Sequence, residues 1–408
     1  MSFDETSTIM RIAFDGTTLT PGRTGVGYYT EHLLQHLACE VEATGDELIV
    51  ISNQAIDTAQ PLPRHVRVYD RRRFPLRIGW MQLLAGRVLE DIRADVAHFT
   101  NGMLPLGTGA ARVVTIHDMS LTLFPRCHPL RRLVINRPLL GLAARVADAV
   151  VTVSHSARRD LLRLHGIPPE RVTVAHEAAG PGFVPIVDPV RRSRIRARYG
   201  LPERFFLYVG AIEPRKNLPR LMDAFAEARR NGVEHELVCA GPYGWSSRDL
   251  YAQIDRLGLR RLVHFTGYVP ADDLPVIYNL AEFFVFPSIY EGFGLPVVEA
   301  MACGTPVITA STSALEEIAT GAAEMIDPHE TAALTRAIMR LAHSPERRAE
   351  LRELGLVRAG EFSWTRTARE MLATYSRAAG FSVAPALQAP GPVDSTVGVK
   401  SVSRGAIS

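Results

Sequence analysis

Two glutamates, Glu291 and Glu299, stand eight positions apart around the start of a predicted helix. An apolar run at 283–286 predicts a buried strand before them, and Pro296 is typical of the first turn of a helix. The N-terminus of such a helix presents free N–H groups and the positive end of its dipole, which favour phosphate. Carboxylates would repel a phosphate, so the glutamates are better suited to accepting hydrogen bonds from sugar hydroxyls. The stretch therefore predicts one side of a nucleotide-sugar site.

Arg215 and Lys216 form a candidate clamp for a diphosphate. They lie in the segment 210–217, between a predicted strand and a predicted helix. A guanidinium and an ammonium group at such a junction can neutralise a diphosphate without a metal ion. The sequence contains no Asp-x-Asp pair, so neither a metal nor a cofactor beyond the nucleotide sugar is expected. A solvated basic turn is the alternative interpretation, and the nearby glutamate motif makes it the weaker one.

Candidate binding groups also follow strands in the first half of the chain. Gly25 and Gly27 come after the first predicted strand, where glycine lets a diphosphate approach the backbone. A dinucleotide fingerprint would carry glycine where Thr30 stands, so redox cofactor binding is disfavoured and a tight turn is the main alternative. His117 directly follows another predicted strand, at the carboxyl end where ligands collect. Position alone separates it only weakly from three other histidines: His98, His155 and His176.

The elements that position these residues alternate between strands and helices in two successive series. The first series predicts strands at 11–15, 48–52, 96–100, 112–116 and 149–153, and helices at 28–37, 80–92 and 156–165. The second predicts strands at 205–209, 236–240, 262–266, 283–286 and 307–309, and helices at 217–229, 247–257, 275–281 and 331–341. This alternation predicts two α/β domains with doubly wound parallel sheets, which enclose a cleft between them.

A charged stretch rich in proline and glycine, residues 177–204, separates the two series. It divides the chain into an N-terminal domain, residues 1–190, and a C-terminal domain, residues 191–363. A further helix is predicted at 364–379. From Phe381 onward the composition is rich in Pro, Gly, Ser, Val and Ala without a period, which predicts a disordered tail over 381–408.

Composition limits the classes of protein to which the chain can belong. Its 408 residues, 47% of them hydrophobic, suffice for two or three domains. A net charge of +3 gives no case for nucleic acid as a partner. Four scattered cysteines fit a reducing compartment, and Asp4 and Glu5 precede any apolar run, which argues against a secretory signal. The sequence predicts a cytoplasmic protein.

The segment from Arg71 to Trp80 is a candidate membrane contact. It combines cations with apolar and aromatic side chains, to which Arg126, Arg131 and Arg132 add. Such a surface suits anionic lipid headgroups or the phosphates of a lipid-linked acceptor. A solvated loop followed by an ordinary core helix explains the same residues equally well.

Together, these motifs resemble those of the family 4 retaining glycosyltransferases. The resemblance extends from about Arg11 to Ala379 and rests on three stretches: Glu291-x7-Glu299 with Gly292-Phe293-Gly294, Gly210 with Glu213-Pro214-Arg215-Lys216-Asn217, and Thr115-Ile116-His117-Asp118. The first two of these stretches are specific for the family when they occur together. The resemblance implies the GT-B fold, in which two Rossmann-like domains face each other across a cleft. It also implies that the last helix, within residues 364–380, crosses back to the N-terminal domain.

The resemblance also implies roles for single residues. Arg215 and Lys216 would hold the donor diphosphate, and Gly25 and Gly27 would close over it. Glu299 would bind the ribose hydroxyls.

The transferred sugar would be held by Glu291, and His117 would contact it from the opposite domain. Amides of the glycine loop and the turn at 267–269 would complete the donor site, whose further residues are Gly292, Phe293, Gly294, Leu295, Tyr268 and Val269. Many relatives carry arginine where Ala211 stands and an Asn-Gly pair where His176-Glu177 stand. The first departure leaves more of the diphosphate charge to Arg215.

The activity that the resemblance implies is transfer of a hexose from a nucleotide diphosphate sugar with retention of anomeric configuration. The Glu-Pro-Arg-Lys-Asn form of the loop looks most like bacterial enzymes of surface-polysaccharide and lipopolysaccharide synthesis that transfer mannose or a related deoxyhexose. GDP-mannose is therefore the first expected donor, ahead of GDP- or dTDP-rhamnose and UDP-sugars, and a lipid-linked oligosaccharide the expected acceptor. A nucleotide-sugar epimerase, a glycan phosphorylase and a non-catalytic sugar-binding protein are the alternatives.

Overall fold

Two parallel sheets organise the chain in a computed structural model that describes residues 9–21, 23, 25–70, 74–242 and 247–383. The strands of the first sheet are β1 (Arg11–Asp15), β2 (Glu47–Ile51), β3 (Arg67–Tyr69), β4 (Val96–Phe99), β5 (Ala111–Ile116), β6 (Ala149–Thr152) and β7 (Val172–Val174). Those of the second are β8 (Phe205–Val209), β9 (Glu236–Ala240), β10 (Val263–Gly267), β11 (Phe283–Phe286), β12 (Val307–Ala310) and β13 (Glu324–Ile326). Most of the predicted tail, from residue 384, lies outside the described residues.

Helices cover both faces of each sheet. In the first half they are α1 (Gly25–Thr44), α2 (Arg77–Leu83), α3 (Ala85–Asp91), α4 (Ser120–Leu123), α5 (Leu130–Val146) and α6 (His155–His165). The later ones are α7 (Pro189–Tyr199), α8 (Leu218–Arg230), α9 (Ser247–Arg256), α10 (Leu274–Leu280), α11 (Leu295–Ala302), α12 (Ser313–Ala319), α13 (Thr331–His343), α14 (Pro345–Gly360) and α15 (Trp364–Ala379). Within the described residues, no helix is long and apolar enough to span a bilayer.

Both sheets reverse their strand order at one point. The orders are β3-β2-β1-β4-β5-β6-β7 and β10-β9-β8-β11-β12-β13, with every pair parallel. Strands β8 and β11 are buried along their whole length, which explains why each appears in the sequence as a continuous apolar run. The doubly wound α/β architecture predicted from the alternating pattern is confirmed.

Short edge strands and one helix break were not predicted. Strands β3, β7 and β13 have three residues each, too few to show a period. The single helix predicted at 80–92 is wrong, because the chain forms α2 and α3 with a break at Leu84. Next to the break, Gly86 packs so closely on Gly107 that a Cβ there would lie 2.1 Å from the Gly107 carbonyl oxygen.

The last helix, α15, packs against α1 and against strands β4 and β5 of the first sheet. Its Tyr375 hydroxyl lies 2.7 Å from Nδ1 of His98, whose Nε2 lies 2.8 Å from the Thr115 hydroxyl. Burial lowers the pKa of His98 to about 3, so this histidine is a neutral part of the core. The chain therefore passes between the two sheets twice, once before α7 and once before α15.

Candidate active site

The candidate site is built on the carboxyl ends of β8 and β11, which are neighbours at the point where the second sheet reverses its order. Proteins of this architecture leave a crevice for ligands there. The loop after β8 carries Arg215 and Lys216, and the loop after β11 carries Glu291. Asn217 joins the two loops, because its backbone is left-handed and its side-chain amide donates to the Pro287 carbonyl at 3.1 Å.

Arg215, Lys216 and Glu291 form one buried ion cluster. Nη1 of Arg215 lies 2.8 Å from Oε2 of Glu291, and Nζ of Lys216 lies 3.2 Å from Oε1. The hydroxyl of Ser288 donates to the same Oε1 at 2.7 Å. Nζ of Lys216 also lies 4.8 Å from the ring centre of Phe286. Nη2 of Arg215 also lies 3.7 Å from the Glu213 carboxylate, so two cations face two carboxylates in this cluster. An anionic ligand would compete with these carboxylates for Arg215 and Lys216.

Two opposing effects act on the carboxyl group of Glu291. Burial alone would raise its pKa, but the positive charges of Arg215 and Lys216 outweigh burial and lower the pKa to about 2. Glu291 is therefore ionised at neutral pH. It can accept hydrogen bonds from hydroxyl groups but has no proton to give.

The loop at 292–294 brings backbone N–H groups to the N-terminus of α11. None of its three N–H groups donates to another described residue, as is usual for the first N–H groups of a helix. A Cβ at Gly292 would lie 2.0 Å from the carbonyl oxygen of His117, so only glycine permits this contact between the domains. The loop thus combines free donors with a close approach to the opposite wall of the cleft.

The side chains beside these amides point elsewhere. The ring of Phe293 is buried and lies 5.6 Å from that of Phe362 in an edge-to-face contact. Leu295 begins α11 and is partly buried against the second domain. The donor-binding roles of both residues stay predictions, and that of Phe293 rests on its backbone N–H.

Glu299 lies on the first turns of α11 and accepts a hydrogen bond from the Tyr278 hydroxyl at 3.0 Å. Burial raises its pKa to about 8; the hydrogen bond from Tyr278 opposes this shift, and the nearby charge of Glu177 adds to it. At neutral pH the group is mostly protonated, so one oxygen can donate while the other accepts. Such a carboxyl group suits a pair of neighbouring sugar hydroxyls.

His117 faces this site from the end of β5. Its Nε2 lies 2.9 Å from the carbonyl oxygen of Thr100, and its Nδ1 lies 3.3 Å from Oε1 of Glu177. The ring of Tyr29 packs edge-on against it at 4.6 Å. Burial lowers the pKa of His117, but the hydrogen bond and charge of Glu177 outweigh burial and raise it overall.

We expect Glu177→Gln to change how stability depends on pH. Because folding raises the pKa of His117, its pairing with Glu177 stabilises the protein fully below about pH 6.5, the unfolded value. That contribution is lost as pH rises through the folded pKa. Urea unfolding at a series of pH values from below about 6.5 upward gives the free energy of unfolding of wild type and of Glu177→Gln. The difference between the two proteins at each pH measures the effect. Parallel curves for the two proteins would contradict it.

Two tyrosines join the domains on the other side of Glu299. The hydroxyl of Tyr28, in the first turn of α1, lies 3.2 Å from that of Tyr268, which follows β10. Tyr268 is half exposed, and the base-binding role of its turn stays a prediction. Val269 does not fit that prediction, because its side chain is buried in the second domain and only its backbone can reach a ligand.

Gly25 and Gly27 form the first turn of α1, on the same side of the cleft as Tyr28. A Cβ at Gly27 would lie 3.1 Å from the Thr18 carbonyl oxygen, which explains the need for glycine. Gly25 is exposed and has open space around it.

The segment predicted as a membrane contact is buried at its end and exposed before it: Leu76 is 68% exposed and Ile78 is also exposed. Trp80 is fully buried. Arg77 donates to the Thr17 hydroxyl at 2.7 Å and lies 3.3 Å from the Asp15 carboxylate. The arginines at 71–73 lie outside the described residues. The prediction of a basic aromatic surface is therefore wrong for Trp80, because α2 packs that ring into the core, and for the rest of the segment it stays a prediction.

Two residues near the site carried no predicted role. Glu177 sets the environment of His117, and Tyr290 connects the domains by donating to Asp160 at 2.9 Å and accepting from the Met119 N–H at 3.3 Å. Glu177 follows an edge strand in a segment without a period. Tyr290 stands directly before Glu291 but has the same type as many core residues. Glu177 was marked only as part of the departure from the Asn-Gly pair of many relatives, and no sequence signal marks Tyr290.

Comparison with known proteins gives a consistent result. A family profile described as Glycosyltransferase Family 4 matches residues 24–178, and one described as Glycosyl transferases group 1 matches residues 191–356. The O-antigen chain mannosyltransferase B of Escherichia coli is 30% identical over 386 residues, which cover 90% of this chain and 99% of that protein.

Solved structures agree at the level of the fold. Sucrose-phosphate synthase from Thermosynechococcus elongatus has a TM-score of 0.70 at 21% identity, covering 90% of this chain and 98% of that chain. Anabaena Alr3699/HepE in complex with UDP and glucose has a TM-score of 0.68 at 21% identity, covering 90% of this chain and 100% of that chain. With its two facing Rossmann-like domains, the chain belongs to the family 4 glycosyltransferases of the GT-B fold.

Proposed function

We propose that the protein transfers mannose from GDP-mannose to a lipid-linked oligosaccharide, with retention of anomeric configuration. The second domain, residues 191–363, would bind the donor. The first domain, residues 1–190 with 364–380, would bind the acceptor. The observation that carries the proposal is the buried cluster of Arg215, Lys216 and Glu291 beside the free amides of the glycine loop.

The cluster suits a diphosphate joined to a sugar. Arg215 and Lys216 would bind the diphosphate oxygens, and the ionised Glu291 would accept hydrogen bonds from sugar hydroxyls. The protonated carboxyl of Glu299 would bind the ribose, and His117 would contact the sugar from the facing domain. Positive charge on both sides of Glu291 would then lie where the leaving diphosphate becomes more negative, which is the electrostatic form of catalysis.

Transfer would proceed on one face of the sugar. The bond from the anomeric carbon to the phosphate oxygen breaks as the bond to the acceptor oxygen forms. The proton of the acceptor hydroxyl moves to the leaving phosphate, so no protein base is needed. Neither Glu291 nor Glu299 is assigned as a nucleophile, because both are engaged in holding hydroxyl groups.

Mannose is favoured by the relative that this chain matches over almost its whole length, which is named as an O-antigen chain mannosyltransferase. The Glu213-Pro214-Arg215-Lys216-Asn217 form of the loop supports the same donor. The base is proposed from this likeness alone.

Thermal unfolding with GDP, UDP and dTDP tests the donor. At about 100 times its dissociation constant a ligand adds about 2.7 kcal/mol to stability, so we expect GDP to raise the melting temperature by several degrees more than the others. The shift should survive EDTA, because Arg215 and Lys216 replace a metal. Mannose transfer from GDP-mannose to a lipid-linked saccharide is then measured directly. A larger shift with UDP would overturn the choice of base, and nucleotide release without sugar transfer to any acceptor would count against a transferase.

A lipid-linked acceptor would place the protein at the cytoplasmic face of the membrane, and α5 offers a surface suited to that contact. Its Leu130 and Val134 are 74% and 66% exposed, and the exposed cations beside them are Arg131, Arg132 and Arg137. Exposed apolar groups flanked by arginines suit an anionic bilayer surface. This helix carries Arg131 and Arg132, which the sequence analysis added to the segment ending at Trp80.

We expect the double variant Leu130→Glu/Val134→Glu to bind vesicles containing phosphatidylglycerol at least about tenfold more weakly, since each lost side chain contributes roughly 1.5–3 kcal/mol when buried. Turnover on a soluble acceptor analogue should be unchanged. Val357→Glu is the matched control, because Val357 is equally exposed on α14 of the donor domain. Equal vesicle binding by the double variant and the control would remove α5 from the proposal.

A further inference from the structure

Three side chains able to bind a metal meet where the first turn of α6 faces α12. They are His155 at the start of α6, His176 after β7, and Glu317 on α12. One nitrogen or oxygen atom from each lies within 4.8 Å of the other two. We propose that these residues form a site for Zn²⁺, or a similar divalent transition metal, that joins the two domains.

The carboxylate of Glu317 is already held in place. Its Oε2 accepts from the Ser156 N–H at 2.9 Å, and its Oε1 accepts from the His155 N–H at 3.0 Å. Nε2 of His176 lies 2.8 Å from the same Oε1. Hydrogen bonds of this kind orient metal ligands in known sites, and here backbone N–H groups supply them.

A metal fits this geometry with small movements. Zinc bonds of 2.0–2.2 Å to nitrogen and oxygen place two ligand atoms of a tetrahedral site about 3.3 Å apart. The ion would take the place of the proton between His176 and Glu317, so these two side chains need to separate by only about half an ångström. The ring of His155 is exposed and free to turn toward them. Two imidazoles and one carboxylate favour zinc, nickel or cobalt over magnesium or calcium.

The site lies directly behind the donor loop. The ring of His176 is 6.1 Å from that of Phe293 and 5.7 Å from that of Phe362. His155 and His176 belong to the first domain and Glu317 to the second. One ion would therefore link the two domains beside the glycine loop. Because the domains must separate to release products, bound metal would slow turnover; this consequence, unlike the site itself, rests on the proposed function.

Titration of the EDTA-treated full-length protein with Zn²⁺ by calorimetry, and with Co²⁺ by visible absorption, tests the site. We expect one ion per chain. His155→Ala and Glu317→Gln should each weaken binding by more than about tenfold, since loss of a mere outer hydrogen-bond partner already costs 10–100-fold. His264→Ala is the matched control: His264 pairs with Glu236 on the surface, and no third ligand is found near that pair among the described residues.

Small-angle X-ray scattering tests the link between the domains. We expect zinc to reduce the radius of gyration of the wild type and to have no such effect on His155→Ala, whose exposed side chain is not needed for folding. Equal zinc affinity in wild type, His155→Ala and Glu317→Gln would overturn the site. Binding that is lost in the variants but leaves the scattering unchanged would overturn the joining role. Neither readout uses a nucleotide or a sugar, so both are independent of the donor assignment.

Discussion

Lys216→Ala is expected to lower kcat by about 10²–10³-fold while leaving the protein folded, because one preorganised charge at the leaving diphosphate typically contributes that much. Glu291 keeps its shorter contact to Arg215, so the buried carboxylate remains paired in this variant. Steady-state kinetics with the nucleotide sugar and a thermal melt measure the two effects. Arg260→Ala is the control, because Arg260 is an exposed arginine whose ion-pair partner among the described residues is Asp255. Near-normal kinetics for Lys216→Ala would remove it from the proposed machinery.

Arg215→Ala should reduce turnover by a similar factor, but it should also destabilise the protein. Arg215 is 9% exposed and its partner Glu291 is equally buried. Removing one member of a buried ion pair costs about 3–5 kcal/mol when the other charge loses its only partner. Glu291 would keep the longer contact to Lys216, so we expect a loss at or below the lower end of that range. Arg215 and Lys216 are neighbours in one loop, so the sequence alone does not distinguish the two substitutions. The structure separates them, and Lys216→Ala becomes the cleaner test of catalysis.

The second large effect is expected from Glu291→Gln, which should lower turnover by at least about 10²-fold while GDP binds at least about tenfold more tightly. The carboxylate competes with a diphosphate for Arg215 and Lys216, since it lies 2.8 Å and 3.2 Å from their nitrogens. Removing the charge of Glu291 leaves Arg215 and Lys216 free to bind the nucleotide diphosphate, but it weakens the hydrogen bonds to the sugar hydroxyls. Calorimetry with GDP and kinetics with the full donor separate these effects. Loss of GDP affinity in the variant would contradict the assignment of Glu291 to the sugar.

The same variant makes a prediction about acid stability. Because folding lowers the pKa of Glu291 to about 2, its ion pairs contribute fully above the unfolded value of about 4.3. Their contribution is lost progressively as pH falls from there to about 2. Wild type and Glu291→Gln should therefore converge in stability over that range, which unfolding at a series of pH values would show.

The core of the site could be predicted because sheet topology brings distant residues together. Arg215 and Glu291 are 76 positions apart, yet each follows a strand, and the two strands are neighbours where the order reverses. An apolar run that ends in a polar loop marks each strand clearly. Once a doubly wound sheet was predicted, these loops had to meet at its carboxyl edge.

Other features could not be predicted because they depend on how side chains turn. Val269 and Tyr268 are adjacent, but only the packing of β10 decides which one faces the core. From the sequence, Trp80 and its neighbouring arginines fit a surface helix and a core helix equally well. Only the packing of α2 on the first sheet shows that the Trp80 ring is buried. The pairing of His117 with Glu177 joins the ends of two strands through a segment that has no period. Contacts between the domains, such as Tyr28 with Tyr268, require the relative position of both halves, which local patterns do not contain.

The two passages of the chain between the domains run side by side. The Thr367 hydroxyl at the start of α15 donates to the His176 carbonyl oxygen on the other passage, and Phe362 packs against the His176 ring. We expect two adjacent connections to act as a double-stranded hinge, which bends about one axis and resists twisting about the others. Opening of the cleft should then have a single rotational degree of freedom. One distance across the cleft mouth, between labels placed beside Tyr28 and Tyr268, is enough to follow the whole motion.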